Sequence, residues 1–234
     1  MSSSDPSSRS AFYKRLAAAA ESQLSTTPSS DPLPMLSNLA SLIYHSFIGE
    51  FGGSSKTSVN WCGFYLVRQI DLSSTSSNSA DSPSSPVHDP DHPPPSTVLL
   101  LGPFHGLPAV SLIRIGKGVC GTAVAERATQ VVPDVHAHPN HIACDSASNS
   151  EIVIPVFSDE TKEKLVGVLD IDSPLLNFFS TEDQQGLEPI VNAFGFKIDW
   201  KMFDKTIKVK LPGQKSNQDR MREAKEEEGV TNVV

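Results

Sequence analysis

Residues 151–172 read EIVIPVFSDETKEKLVGVLDID, two apolar runs on either side of the polar segment SDETKE. Both runs are rich in β-branched residues and too short for an ordinary helix, so they predict two strands, 151–157 and 164–172, joined as a hairpin. Side chains alternate along a strand with a period of two, which puts Asp170 and Asp172 on one face and Leu169 and Ile171 on the other. Glu151 opens the neighbouring strand, so three carboxylates converge near one end of the hairpin. Such a group suits a cationic ligand and can hold a transferable proton. The plainer alternative is that acids at the end of an apolar strand are simply solvated.

Upstream, residues 133–150 predict a long loop, and within it Cys144 stands among small polar residues in NHIACDSASNSEI. A packed core does not use that composition. Further back, a short helix is expected over 119–127, opened by the glycines of GKG, after strands at 97–104 and 109–115. The aromatic and β-branched stretch VNWCGFYLV predicts a strand at 59–67. Helices are expected at 11–24 and at 33–47, the latter with apolar residues at Leu36, Leu39, Ala40, Ile43 and Phe47. Downstream, Ser180 and Asp183 are spaced as a capping box for a helix running over 181–203. Helices, then strands joined mostly by short turns, then a closing helix make an α+β domain with a central, mainly antiparallel sheet and helices packed on it.

Three segments are expected to stand outside the core. Residues 1–10 form a disordered N-terminus. Residues 71–96 hold nine Ser and six Pro in twenty-six positions and read as a disordered loop inserted in a single domain over 11–206. Residues 207–234 mix six basic with five acidic residues and read as a polar tail. The net charge of -8 and pI near 5.3 argue against a nucleic-acid partner. No apolar run approaches bilayer length, and MSSSDPSSRS lacks a secretory h-region, so the expectation is a cytoplasmic protein with no membrane association, the nucleus also being open. Three cysteines are too few for a structural disulfide framework; a disulfide here is catalytic or redox-sensing.

Other constellations have plainer readings. Gly116, Gly118 and Gly121 match Gly-x-Gly-x-x-Gly, with Asp134 downstream, but the chain lacks the strand-helix alternation of a dinucleotide fold. The glycines are instead expected to turn the backbone and set Cys120 at a helix N-terminus, where the dipole favours a thiolate. His136, His138, His141 and Cys144 offer zinc-type donors within one loop, yet Pro133 and Pro139 restrict its wrapping, so loop hydrogen bonding is preferred. Trp61 and Tyr65 share a strand face and read first as core. Cys62 points the other way and reads as a buried small hydrophobe.

Taken together, NWCGFYL, LLLGPFHGLPA, IGKGVCGTA, VPDVHAHPNHIACDSASNSEIVIPV and GVLDIDS resemble the free methionine-(R)-sulfoxide reductases, single-domain enzymes of the GAF fold. The resemblance implies reduction of free L-methionine (R)-sulfoxide by cysteine chemistry, thioredoxin as reductant, a homodimer, and neither metal nor organic cofactor. By motif, Cys144 matches the nucleophile and Cys120 its resolving partner, with the order of attack left open. Trp61 and Tyr65 match the aromatic wall around the substrate, and Glu151, Asp170 and Asp172 match the acids that hold its ammonium and supply a proton. The segments 116–121 and 140–150 are where the substrate carboxylate would sit. One position departs: where the family commonly has a third cysteine, this chain has Val110, leaving Cys120 as the matching resolver. The rivals are a non-catalytic GAF ligand-binding or redox-sensing module and a zinc-stabilised interaction domain.

Overall fold

The structure is a computed structural model and describes residues 6–26, 31–52, 58–71, 96–137 and 147–208. Two helices come first, α1 (Pro6–Thr26) and α2 (Pro32–Phe51), followed by strands β1 (Trp61–Asp71), β2 (Ser96–Gly106) and β3 (Leu112–Arg114). Helix α3 (Gly118–Glu126) leads to β4 (Gln130–Val132), β5 (Ser150–Phe157) and β6 (Leu165–Ser173), and α4 (Thr181–Lys197) precedes a two-residue strand β7 (Ile207–Lys208). The sheet order is β3-β2-β1-β6-β5-β4. The β2–β3, β1–β6, β5–β6 and β4–β5 ladders are antiparallel. By their contacts the described residues fall into two units, 6–68 with 97–204, and 69–71 and 96 with 205–208, and within the second β7 pairs in parallel with the end of β1, Ile70 opposite Ile207.

Every residue of β5 is buried, as are eight of nine in β6. An antiparallel strand exposed on one face would alternate; here both faces are covered, which is why the two runs are almost continuously apolar. One face carries Cys62, Phe64 and Leu66 of β1, Ile152, Ile154 and Val156 of β5, and Leu169 and Ile171 of β6, packed with side chains of α1, α2 and α4. Helix α2 is built for this: Asp31 caps it by accepting the Leu33 N–H at 3.0 Å, and Met35, Leu36, Leu39, Ala40, Ile43 and Phe47 form one buried face. The opposite face carries Trp61, Tyr65, Val153 and Val168, covered by Val119, Cys120 and Ala123 of α3 and by Leu99, Ile113, Val132 and Val135.

The helix boundaries differ from those expected, with α2 running on to Phe51 instead of ending at 47, and the largest differences have visible causes. Helix α1 takes in residues 6–10, because Arg9 donates to the buried Asp183 carboxylate and to the Phe178 carbonyl, while Tyr13 donates to Asp183 at 2.6 Å. Helix α4 stops at Lys197 instead of continuing to Phe203. Asp199 caps a separate 3-10 turn at Trp200–Phe203, and the Trp200 indole donates back to the Gly195 carbonyl at 2.7 Å. At the start of α4, Asp183 accepts the Ser180 N–H at 2.8 Å, so the capping box is present. The N-terminal residues 1–5, most of the Ser/Pro stretch (72–95) and the tail from 209 lie outside the described residues.

Candidate active site

The ladder registers place the site on the face opposite α1, α2 and α4. Val132, Glu151, Asp172 and Trp61 lie side by side across β4, β5, β6 and β1. The next row on the same face is Gln130, Val153, Asp170 and Gly63, and the one after it contains Pro155, Val168 and Tyr65. The alternation expected from sequence therefore holds: Asp170 and Asp172 share a face, and Glu151 sits directly opposite Asp172. Solvation does not describe them, since Glu151, Asp170 and Asp172 are only 6, 6 and 8% exposed.

The aromatic side of the site is a stack. The Trp61 ring lies 5.9 Å from that of Tyr65 and 5.4 Å from that of Phe104, nearly parallel to both. Their polar ends are fixed by backbone: the Trp61 indole donates to the Leu107 carbonyl at 3.1 Å, and the Tyr65 hydroxyl donates to the Val110 carbonyl at 2.9 Å. Val110 thus contributes its carbonyl to this side of the site. Phe104 was not singled out from sequence; its place in GPF, on a strand beside β1, is the signal that would have found it. Gly63 makes the stack possible, because a Cβ there would come within 2.3 Å of Phe104 Cβ and 2.6 Å of the Trp61 ring.

Cys120 reaches the acids from α3. Gly116 and Gly118 adopt positive φ at 78° and 64° and turn the chain into that helix. The Cys120 thiol donates to Asp170 Oδ2 at 3.3 Å, and donor atoms of Cys120, Glu151 and Asp170 lie within 4.8 Å of one another. Its environment reverses the sequence expectation. Cys120 is the third residue of α3, but it is 2% exposed, and burial, then Asp170 and Glu151, push its thiol well above the usual range. The expected dipole-stabilised thiolate is overridden by desolvation and two nearby carboxyls. Burial also raises Asp170 to about 6, against the Cys120 thiol and the neighbouring Glu151, which pull it down. Cys62 lies on the other face among apolar side chains, as expected.

Cys144, His138 and His141 fall outside the described residues. The end of their loop is held firmly. Asn60 donates to Ser148 Oγ at 2.9 Å, Asn149 donates to the Pro174 carbonyl at 2.7 Å, and Ser150 to the Leu175 carbonyl at 2.7 Å. His136 pairs through Nε2 with Asn149 Oδ1 at 3.0 Å, a loop hydrogen bond in keeping with the preferred reading of the histidines.

A GAF domain model matches residues 54–198, the sheet and the helices that carry this site. The free methionine-R-sulfoxide reductase of Escherichia coli is 38% identical over 159 residues, 68% of this chain and 73% of that protein. The chain belongs to the free methionine-R-sulfoxide reductase family. The Saccharomyces cerevisiae free methionine-R-sulfoxide reductase is 37% identical over 155 residues, 66% of this chain and 69% of the yeast protein. Among solved structures, that of the Neisseria meningitidis free methionine-R-sulfoxide reductase in complex with its substrate is 34% identical, with a TM-score of 0.60 over 84% of this chain and 92% of the other. This reductase-family chain therefore has the α+β GAF fold expected from its sequence. Among the described residues, no helix is long and apolar enough to cross a membrane.

Proposed function

We propose that this protein reduces free L-methionine (R)-sulfoxide to L-methionine, with a Cys120–Cys144 disulfide as the oxidised intermediate and thioredoxin as the reductant. The observation that carries the proposal is the meeting of Cys120, Asp170 and Glu151 in one buried cluster, on the sheet face that also holds the Trp61, Tyr65 and Phe104 stack. An amino-acid sulfoxide matches such a site group by group. Its ammonium is held by Glu151, Asp170 and Asp172, and its S-methyl group lies against the aromatic rings. The first three N–H groups of a helix have no intrahelical partner, and Lys117 makes no side-chain cap there, so the start of α3 suits the carboxylate.

In the reaction Cys144, as thiolate, attacks the sulfoxide sulfur, and Asp170 passes its proton to the sulfoxide oxygen. Oxygen transfers to the cysteine, methionine leaves, and a sulfenic acid remains. Asp170, now a carboxylate, takes the Cys120 thiol proton along the existing hydrogen bond. The Cys120 sulfur then attacks the sulfenic sulfur, the S–S bond forms as the S–O bond breaks, and the leaving oxygen takes the proton back from Asp170 and departs as water. Thioredoxin reopens the disulfide by exchange, becoming oxidised in turn. The raised Cys120 thiol supports this order, since a protonated thiol waits for a base whereas a first attacker works best as a thiolate. No metal or organic cofactor enters these steps. The same reading makes the protein a cytoplasmic homodimer, the nucleus also being open, that repairs oxidised methionine under oxidative stress.

The protonated state of Cys120 also favours a second reading, a GAF module that binds an amino-acid ligand without turning it over. An assay of NADPH oxidation with thioredoxin and thioredoxin reductase separates them. Oxidation dependent on free methionine (R)-sulfoxide supports the reductase; ligand binding without NADPH oxidation supports the module.

A further inference from the structure

We propose that the reduced protein binds one soft divalent cation, zinc or cadmium, on Cys120, Glu151 and Asp170, as a reversible inhibitor competing with substrate. The geometry is close to a coordination site already. With Zn–S and Zn–O bonds of about 2.3 and 2.1 Å at a tetrahedral angle, sulfur and oxygen ligands sit roughly 3.6 Å apart. The Cys120 Sγ to Asp170 Oδ2 separation is 3.3 Å, and the three donor atoms fall within 4.8 Å, so small side-chain rotations close the set.

A second observation points to a missing ligand. Asp170 is 6% exposed, and its Oδ1 is buried without a hydrogen-bond partner among the described residues. A buried, unpartnered carboxylate oxygen is costly, and a cation bound to it removes that cost. Thiolate with carboxylate is a donor set for zinc or cadmium and not for magnesium or calcium, which take oxygen ligands. On binding, the Cys120 thiol proton and the Asp170 proton leave to solvent, and the metal–sulfur and metal–oxygen bonds replace them. No electron moves. Competition follows because the carboxylates proposed to hold the substrate ammonium would then be occupied; that part of the inference rests on the reductase reading.

The test uses full-length, pre-reduced protein freed of reductant and chelator. Titration with cadmium alone is followed by its thiolate-to-metal charge-transfer absorption. The expected result is saturation at one cadmium per chain, loss of the band in Cys120→Ser and its retention in Cys62→Ala. Asp170→Asn, checked for folding by circular dichroism, binds at least about tenfold more weakly. In a single turnover, zinc at ten times its dissociation constant raises the half-saturating sulfoxide concentration about elevenfold, and a chelator reverses this. Absence of the band, or a band that survives in Cys120→Ser, overturns the proposal. Metal-free protein that forms no methionine while cadmium binds as described sinks the reductase reading and leaves the cation site standing.

Discussion

At the scale of single residues, Asp170 is an acid under tension. It is buried, accepts the Cys120 thiol and titrates near 6 because of its burial. In the unfolded chain a carboxyl titrates near 4, so between about pH 4 and 6 the folded state holds a proton that the unfolded state has lost, and stability falls as pH rises through that window. Asp170→Asn is therefore expected to be more stable than the parent at about pH 8, by on the order of 2 kcal/mol, with the gain vanishing towards about pH 4. The same variant is expected to lose at least about 100-fold in turnover, because no acid remains to protonate the sulfoxide oxygen. Denaturant melts at several pH values, paired with methionine release, check both; an unchanged stability profile removes the argument for a strained acid. That both acids face one way was legible from their spacing. The high thiol pKa of Cys120 was not, since it depends on burial and on Glu151 and Asp170, which are distant in sequence.

At the scale of elements, the β1–β6–β5 ladders do most of the positioning, and Gly63 is their most exacting position. Gly63→Ala would drive a methyl group into Phe104 and the Trp61 ring. Overpacking of this kind costs about 1–3 kcal/mol. The expected outcome is a rise in KM for the sulfoxide, larger than any fall in kcat, with a changed near-ultraviolet spectrum from Trp61. A fall in kcat with KM unchanged would place the stack away from the substrate. The helices and the longer strands could be read from periodicity, while the short strands β4 and β7 and the ends of the helices could not. Helix α1 starts earlier because Arg9 meets Asp183, and α4 stops sooner because Trp200 folds back on Gly195. Neither tertiary contact leaves a mark in local composition.

On the scale of the molecule, one sheet separates two apolar layers, and the division explains why Cys62 and Cys120 have different surroundings. Cys62 is enclosed with the side chains of α1, α2 and α4, whereas Cys120 lies in the layer with the aromatic wall. Residues 72–95 connect β1 and β2, which are neighbours in the sheet, and they contain none of the proposed site residues. Replacing them with a short Gly/Ser linker is expected to leave kcat/KM unchanged within about twofold, and each halving of loop length to stabilise by about 0.6 kcal/mol. A large loss of activity would give that segment a role at the site. The class of fold was legible because several motifs agree in order, and the strand period placed Trp61 with Tyr65 and Asp170 with Asp172 on the sheet face where they lie. The loop carrying Cys144 offered composition alone, and the structure shows its last residues, Ser148 to Ser150, serving as anchors to Asn60 and to the chain after β6.

The central claim is that two thiols, Cys120 and Cys144, exchange one oxygen for one disulfide. Its most direct test is a single turnover of pre-reduced protein with free methionine (R)-sulfoxide, followed by peptide mass mapping and quantification of methionine. One methionine per chain and a Cys120–Cys144 disulfide are expected, with a burst retained in Cys120→Ser and lost in Cys144→Ser. A disulfide that includes Cys62, or methionine release from Cys144→Ser, would contradict it.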